Sequence, residues 1–401
     1  MDNNKKAQSS ALLALTGAAL ALPGIAGKAH AAAPVSEPVL SYHATRYSEA
    51  RLDSDKHLGG DSERYEIDTH QLGFASAIGK QTDIQLDLMV ESMSGASPWY
   101  VQPGANNEPV QAMSGASIKE ERVDLQSRFN RFVNTETVAS LVLGYSDEDD
   151  YSAANIGFEF EKALPQNQLT VTAGMGYSDD ELEPTQGTTA VSVTSAEKDS
   201  LSAFVGLGFI LNARTAVQTS LSITDQEGFL SDPYKLAYIA SLANPLVSDN
   251  RPNDRRQWVW LTKFRHYVPS VNAAVHADYR YFDDDWDIES HTLELGWYQN
   301  LGNTLRVDSV LRYYSQTAAY FYAPFYLSPR SDGLASSDYR LSPYGALSLR
   351  LRVVKSLGPW QLSAQWEGYE AKASHSLKKV DVESPGLVEF NTFSIGFDRV
   401  F

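Results

Sequence analysis

The feature that most constrains this chain is an alternation of apolar and polar residues with a period of two, which runs from Val39 to the C-terminus. Residues 84–91, 345–353 and 360–367 show it most clearly, with apolar side chains at every second position. Successive side chains of a β-strand point to opposite faces, so this period is typical of strands with one apolar and one polar face. A helix would need apolar residues at three-and-four spacing, which these segments lack. The chain is therefore predicted to be all-β.

The alternating segments number about 16, and the connections between them alternate in length. Tight turns such as 79–82, 302–303 and 358–359 follow every even-numbered strand, and long polar loops follow most odd-numbered strands. This arrangement predicts a transmembrane antiparallel up-and-down β-barrel with short periplasmic turns and long extracellular loops. Closure in lipid also satisfies every backbone group, whereas an open leucine-rich sheet would aggregate. The segments 184–197 and 236–254 leave room for a short helix or an extra hairpin. A soluble periplasmic sandwich is the structural alternative.

Residues 1–31 predict a secretory signal peptide. A pair of lysines precedes an apolar run of about 16 residues, which is too short to cross a bilayer. Small residues then fit a cleavage site after Ala31 or Ala33. The barrel is expected to occupy 38–401, and the chain to reside in the bacterial outer membrane.

Composition excludes several classes of function. The chain of 401 residues carries 50 acidic and 33 basic side chains, a net charge of -17, and no cysteine. The acidic balance argues against a nucleic-acid partner, because phosphate binding needs clustered Lys and Arg. The lack of cysteine excludes thiolate metal sites and cysteine nucleophiles, and it fits export into an oxidising compartment. The expected partners are outer-membrane lipid and lipopolysaccharide, and no cofactor is predicted.

The last strand ends with apolar residues at alternate positions and a C-terminal phenylalanine. This ending resembles the signal that the outer-membrane assembly machinery reads, although Arg399 breaks the alternation. The predicted signal residues are Phe393, Ile395, Phe397 and Phe401.

Basic residues at the polar positions of the strands are candidates for the wall of the lumen. They are Arg122, Arg128, Lys263, Arg265, Arg280, Arg306, Arg312, Arg350 and Arg352. Clustered on one wall, they would bias a pore toward anions or bind an acidic ligand. The alternative is that they pair with interior carboxylates, which include Asp87, Glu91, Asp124, Asp278, Asp308 and Glu367, and hold the wall rigid.

Acidic runs recur in the predicted loops, at 147–150, 179–183 and 283–287. Dense carboxylates supply the hard oxygen ligands that Ca²⁺ prefers, or bridge to divalent ions between lipopolysaccharide phosphates. The runs lack the spacing of a calcium-binding loop. The favoured interpretation is therefore solvated loops, and no metal site is predicted.

Three loop segments, 94–100, 229–235 and 318–326, mix proline or glycine with aromatic residues, which suits ordered loops. They would fold inward as a constriction or outward as a docking surface, and the sequence does not choose between these. The densest aromatic patch consists of Tyr320, Phe321, Tyr322, Phe325 and Tyr326. Aromatic residues are favoured binding anchors, but loop packing explains the same patch.

Catalysis is not predicted. His266, His276 and His291 fall on neighbouring predicted strands with Asp278 and Ser290 nearby. A hydrolase needs a nucleophile, a base and an orienting group brought together, and no Gly-x-Ser-x-Gly or His-Glu-x-x-His motif supports this set. An outer-membrane enzyme is thus the third hypothesis, behind a pore or export conduit and a plugged scaffold.

Several motifs are more specific than a generic barrel. They are SGASPWY at 94–100, SGAS at 114–117, DEDDY at 147–151, FLSDPYK at 229–235, RYYSQTAAYFY at 312–322 and SDYRLSPYGALSLRL at 337–351. They resemble the proteobacterial family catalogued as domain of unknown function 3570, over nearly the whole mature chain. The resemblance implies an outer-membrane barrel without an established activity. It also implies a genomic neighbourhood that encodes a small lipoprotein, a thioredoxin-like protein and a flavin transferase, and hence an envelope lipoprotein or redox protein as a partner.

Overall fold

The structure is a computed structural model that describes residues 34–58, 62–114, 118–185 and 191–401. The predicted signal peptide and both candidate cleavage sites lie outside the described residues. Among the described residues, no helix is long and apolar enough to span a membrane.

Sixteen strands of the described chain close into one barrel, in which neighbours along the chain pair antiparallel and the last strand pairs with the first. The barrel strands are β1 (Val39–Glu49), β2 (Glu66–Ala77), β3 (Thr82–Gly95), β6 (Ile118–Asn134), β7 (Thr137–Glu148), β8 (Tyr151–Leu164), β9 (Leu169–Leu182), β10 (Ala196–Asn212), β11 (Thr215–Gly228), β14 (Asp254–Val268), β15 (Ala273–Asp284), β16 (Glu289–Leu301), β17 (Leu305–Gln316), β18 (Tyr344–Leu357), β19 (Trp360–Lys372) and β20 (Glu389–Val400). The prediction of a closed, all-β barrel of about 16 strands is confirmed.

Two small hairpins lie in loops outside the barrel wall. They pair β4 (Pro98–Pro103) with β5 (Pro109–Met113), and β12 (Leu236–Tyr238) with β13 (Leu246–Ser248). The second is the extra hairpin for which the sequence left room. The first was not predicted, because prolines at both ends of β4 weaken the strand signal.

Short turns and long loops lie at opposite ends of the barrel. The turns between β2 and β3, β6 and β7, and β18 and β19 contain two to four residues. The loops 229–253 and 317–343 are much longer, whereas 149–150 is a short connection at the loop end. The first strand begins and the last strand ends on the turn side, where the backbone N–H of Phe401 donates to the carbonyl of Pro38 at 3.0 Å.

The outward face of the wall is apolar. Leu88, Phe158, Val205, Leu295 and Ile395 all lie at outward positions, with exposed fractions that reach 54% for Phe158 and 66% for Ile395. A band of this kind is stable against acyl chains and would be costly in water. The alternate positions of each strand therefore point into the lumen.

Tryptophans lie on the outward face near strand ends, as a girdle at the membrane interface requires. Trp258, Trp297 and Trp360 are each exposed there. Tyr298 does not belong to this girdle, although it is aromatic. It follows Trp297 directly and so points inward, where its ring lies 4.0 Å from that of His276.

Candidate functional site

The strand register places the nine basic lumen candidates at inward positions, between the exposed apolar residues of their strands. They are Arg122, Arg128, Lys263, Arg265, Arg280, Arg306, Arg312, Arg350 and Arg352. Their role in solute or ion preference stays a prediction.

Several of these arginines form ion pairs across or along the wall. Arg128 donates two hydrogen bonds to Glu159, at 2.7 and 2.8 Å. Arg265 pairs with the two carboxylate oxygens of Asp278 on the next strand. Such two-point pairs fix both side chains and leave little charge for an anion. They support the interpretation that wall charges hold one another in place.

Further pairs follow the same pattern. Arg306 donates to Asp308 at 2.8 Å, and Arg350 lies 3.3 Å from Glu294 and 3.9 Å from Glu367. Both arginines therefore sit beside carboxylates of their own strand or of strands one or two positions away.

Arg280 and Arg312 make no ion pair with any described residue. The guanidinium of Arg280 lies over the ring of Phe282 at 5.3 Å, and that of Arg312 over Tyr314 at 5.9 Å. The Tyr314 and Tyr344 rings pack against each other on the same side of the lumen, with centroids 5.6 Å apart. This part of the lumen is thus lined by aromatic rings and cations.

A cavity of about 820 Å³ runs along the opposite part of the lumen, beside the first ten barrel strands. It extends from Ser41, near the turn end of β1, to Asp180, near the loop end of β9. Gln71, Asn155 and Gln226 are among the polar side chains that line it. Its charged lining consists of Asp87, Glu91, Asp124, Glu159 and Asp180 against Arg122, Arg128 and Lys198. The carboxylates outnumber the cations by five to three.

Loops from around the barrel pack together over this lumen. We call them the loop cap, defined as the described residues of 50–65, 96–117, 229–253, 317–343 and 373–388. Loop 96–117 is separated from loop 229–253 by six strands one way round and ten the other. A barrel of this size is roughly 30 Å across, so these two loops start roughly 25–30 Å apart. They nevertheless touch, because the Lys235 ammonium donates to the Pro98 carbonyl at 2.8 Å. Contact between them requires that the cap crosses the mouth.

A buried ionic network joins two loops of the cap. Asp338 has no exposed side-chain area, accepts hydrogen bonds from Arg340 and lies 2.9 Å from a terminal nitrogen of Arg251. Arg340 also donates to Asp232 at 2.9 Å, and Arg251 donates to Asp249 at 2.7 Å. Each acid thus has a basic partner, and the partners come from positions about 90 to 110 residues apart or from the same loop.

Burial and charge act in opposite directions on this network. Although burial disfavours its ionised form, the charges of Arg340, Lys235 and Arg251 hold the pKa of the Asp338 carboxyl well below its usual range. Burial raises the pKa of Asp249 and lowers that of Lys235. Asp338 is therefore the acid on which the cations converge.

A third loop reaches the network through an aromatic ring. The Tyr339 ring lies 5.9 Å from the ammonium of Lys235 and 5.6 Å from the guanidinium of Arg64. Arg64 in turn donates to the carbonyl of Gly386 at 3.1 Å. Loops 50–65, 229–253, 317–343 and 373–388 therefore converge on one point.

Apolar clusters complete the cap and account for most of the aromatic patch. Phe321 has no exposed area and packs with Trp286 and Leu341, and Tyr326 packs with Ala237 and Ile239. Tyr322 and Phe325 are half-buried, and Tyr320 is 42% exposed. The patch Tyr320, Phe321, Tyr322, Phe325 and Tyr326 thus serves mainly as packing between loops, and its use as a binding surface stays a prediction.

Sequence reasoning did not identify the network residues as a unit. The motifs at 229–235 and 337–351 contain Asp232, Lys235, Asp338 and Arg340, and their density of charge beside proline and aromatic residues was the available signal. The partners could not be paired from sequence, because they come from loops about 100 residues apart.

The acidic runs are not uniformly solvated. Their alternation continues that of the strands, so every second carboxylate turns inward and is buried. Asp180 pairs with Lys198 at 2.6 Å, and Asp284 accepts from Arg255 at 2.8 Å. The outward neighbours fit the predicted solvated surface, and the inward ones are structural.

The three histidines do not form a catalytic group. His276 points into the lumen, whereas His266 and His291 share the outward face with Trp258 and Leu293. The Thr215 and Tyr279 hydroxyls contact His266 and His291, at 2.9 and 2.8 Å. The wall itself therefore separates His276 from the other two.

The terminal strand carries its predicted apolar residues on the outward face. Phe393, Ile395 and Phe401 are exposed there, and Phe397 packs against Trp360. The Arg399 guanidinium lies 4.9 Å from the Trp360 ring and 4.4 Å from that of Phe401. Cation–π contact of this kind accommodates the charge that interrupts the alternation. The role of this strand in assembly stays a prediction.

The sequence matches the model of the family described as "Protein of unknown function (DUF3570)" over residues 12–389. This chain belongs to that family. The resemblance drawn from the motifs is therefore confirmed. No curated protein matches the chain in sequence.

Solved structures with a similar fold include the siderophore receptor PirA from Pseudomonas aeruginosa, which is 10% identical with a TM-score of 0.43 over 85% of this chain and 57% of the receptor. The CymD monoaromatic hydrocarbon channel is 10% identical with a TM-score of 0.41, over 91% of this chain and 88% of the channel. A bacterial polysaccharide outer membrane secretin is 8% identical with a TM-score of 0.47, over 91% of this chain and 98% of the secretin. The chain spans little more than half the length of the siderophore receptors it matches. At these identities and TM-scores, the likeness concerns the barrel architecture alone.

Proposed function

We propose that the protein is a conduit for small polar solutes in the bacterial outer membrane, closed at its outer mouth by the loop cap. The observation that carries this proposal is the cavity of about 820 Å³ along the lumen wall, lined by charged and polar side chains among apolar ones. A barrel of 16 strands is wide enough for water and small solutes unless loops fill it. The excess of carboxylates in the cavity lining favours a mild preference for cations in the open state.

The cap supports a gated conduit better than a permanently open pore. Its loops meet through the buried Asp338 network and through the Lys235–Pro98 contact. An ionic network is strong when complete and costly when one member is lost, so it suits a cover with two states. A substrate or partner at the outer surface would open the cover by competing for these contacts.

A plugged scaffold for an envelope complex is the second candidate function. The observation that favours it is the number of loops that interlock in the cap, since a permanent cover needs no opening. Its partner would be an envelope lipoprotein or redox protein, as the family resemblance suggests. Catalysis remains the third hypothesis, and the separation of the three histidines weakens it.

Planar-bilayer conductance separates the two leading candidates. We would compare the wild type with Asp338→Ala, which removes the central acid of the network, and with Asp332→Ala as a matched control. Asp332 lies in the same loop, pairs with Arg330 and is partly exposed. We expect rare or small steps from the wild type and the control, and frequent ion-conducting steps from Asp338→Ala.

The result that would contradict the conduit is silence from Asp338→Ala when proteolysis shows that its loops have opened. That result would favour the scaffold, because a lumen that does not conduct with its cover open is filled along its length.

A further inference from the structure

Three carboxylates gather where β6 and β7 reach the loop end of the barrel. Glu120 lies near the start of β6, Glu148 ends β7, and Asp150 belongs to the connection 149–150. One oxygen of each lies within 4.8 Å of the others. Because successive side chains of a strand alternate between its faces, Glu120 and Glu148 both point inward. The tight connection 149–150 brings Asp150 beside them.

Glu148 lacks the contacts that a buried carboxylate requires. Its side chain has no exposed area, and neither of its oxygens has a hydrogen-bond partner among the described residues. The Nε atom of Arg122 lies 3.5 Å from one oxygen, but its single hydrogen is donated to the Ser146 hydroxyl at 2.9 Å. Burial of an ionised carboxylate without hydrogen bonds is costly. A carboxylate in such a position is satisfied by taking up a proton or by binding a cation.

Arg122 does not balance the negative charge at this site. Besides Glu148 it lies 3.5 Å from Glu91 and 3.4 Å from Asp124, so one guanidinium serves three acids. Glu120 and Asp150 add two more carboxylates to the same region. Acidic side chains thus outnumber Arg122 in this region.

Asp150 is oriented by the loop cap. It accepts a hydrogen bond from the Tyr234 hydroxyl, and that hydroxyl accepts one from the backbone N–H of Thr185 at 3.0 Å. A ligand held by Asp150 would therefore sit at the base of loop 229–253.

We propose that Glu120, Glu148 and Asp150 bind a hard divalent cation, with Ca²⁺ as its representative. Carboxylate oxygens are the ligands that Ca²⁺ prefers, at 2.3–2.6 Å in flexible geometry, with water completing the set. Oxygens on opposite sides of such an ion are about 5 Å apart, so the observed separations fit around one ion. The ion would supply the positive charge that Glu148 lacks and would join the wall to the base of the cap.

The test compares the wild type with Glu148→Gln and with Asp149→Asn as a matched control. Asp149 is an exposed acid in the same connection, so its loss removes equal charge outside the site. Each full chain is purified from outer membranes in detergent by one protocol, washed with chelator and titrated with CaCl₂ by calorimetry. Because all the proteins are prepared in the same way, Ca²⁺ binding by residual lipopolysaccharide phosphates is the same in each and cancels in the comparison.

We expect the wild type and Asp149→Asn to bind one more Ca²⁺ per chain than Glu148→Gln, or to bind it at least tenfold more tightly. Ca²⁺ should also raise the temperature of heat-induced unfolding in these two proteins but not in Glu148→Gln. Equal Ca²⁺ binding by all three would overturn the proposal, as would no specific binding by the wild type. Asp150→Asn, tested alongside, should reproduce the loss, so the conclusion does not depend on one variant that fails to fold.

Discussion

The barrel wall and the loop cap handle charge in different ways. In the wall, Arg128 meets Glu159 and Arg265 meets Asp278 within one or two strands, in a lumen that solvent reaches. In the cap, Asp338 and Arg251 meet across 87 residues with almost no exposed area. A wall pair thus depends only on neighbouring strands, whereas the cap pairs Arg251–Asp338 and Arg340–Asp232 form only when two distant loops fold together.

This difference assigns separate roles to the two regions. The wall obtains its stability from closure and from the apolar face that contacts lipid, so single lumen charges can change without loss of the barrel. The cap obtains its stability from a few buried contacts, and loss of one of them should release it. A rigid wall under a releasable cover is what a gated conduit needs.

The largest effect is expected from Asp338→Ala in the cap. Removal of one partner from a buried ionic network costs about 3–5 kcal/mol. Without Asp338, Arg251 and Arg340 stay buried and keep only Asp249 and Asp232, respectively, as acidic partners. We expect the free energy of opening the cap to fall by about 3–5 kcal/mol, while the unfolding temperature of the barrel stays unchanged. Limited proteolysis of the loops and the heat-modifiable migration of the barrel report the two quantities separately. If the loops lose protease protection and the barrel loses its heat-modifiable migration together, cap and wall are one cooperative unit and the comparison fails.

A slightly smaller effect is expected from a charge on the lipid face of the wall. Val205→Arg places a guanidinium near mid-membrane, where the cost is about 2–4 kcal/mol. Ser202→Arg, on the same strand but in the cavity lining, should cost much less because the lumen is polar. Folding yield into lipid vesicles compares the two variants. A similar yield from both would contradict the assignment of faces.

Acid should act on the cap through Asp338. Its pKa is lowered in the folded cap, so its stabilising contribution is complete above about pH 4 and is lost as pH falls further, at about 1.4 kcal/mol per pH unit. Asp249 has the opposite effect: above about pH 4 its ionised form destabilises the folded cap, because burial raises its pKa. We expect cap protection from protease to rise slightly from pH 7 to mild acid and to fall below about pH 4. Asp249→Asn should remove the rise and keep the fall.

The smallest effect is expected from a wall pair. Glu159→Gln removes one of five acids in the cavity lining but leaves the barrel intact, with a loss of stability of about 1 kcal/mol or less. In the Asp338→Ala background, we expect the reversal potential in a KCl gradient to shift toward anions. An unchanged potential would place the ion path away from this cavity.

The wall could be predicted from the sequence because its pattern is local. Alternation in 84–91 and 345–353 sets which side chains face lipid, and the same rule places Arg306 and Arg350 in the lumen. Tyr298 is aromatic and adjoins the girdle residue Trp297, but its position in the alternation turns it into the lumen. The alternation therefore indicates the face of this residue, whereas its residue type does not.

The cap could not be predicted because no local rule joins its residues. The motifs that contain Asp232 and Asp338 were recognised as conspicuous, but their contact spans 229–253 and 317–343. Likewise, the acidic run 147–150 gave no sign that Glu148 would be buried beside Glu120, since that contact depends on the register of β6 and β7.

The most direct test of the capped lumen uses the absence of cysteine from the chain. Ser202→Cys places a single thiol in the cavity, and a membrane-impermeant thiol reagent is applied to whole cells from outside. The account predicts slow labelling when the cap is intact and labelling at least tenfold faster when Asp338→Ala is added. Equally fast labelling in both backgrounds would contradict the claim that the loops close the mouth.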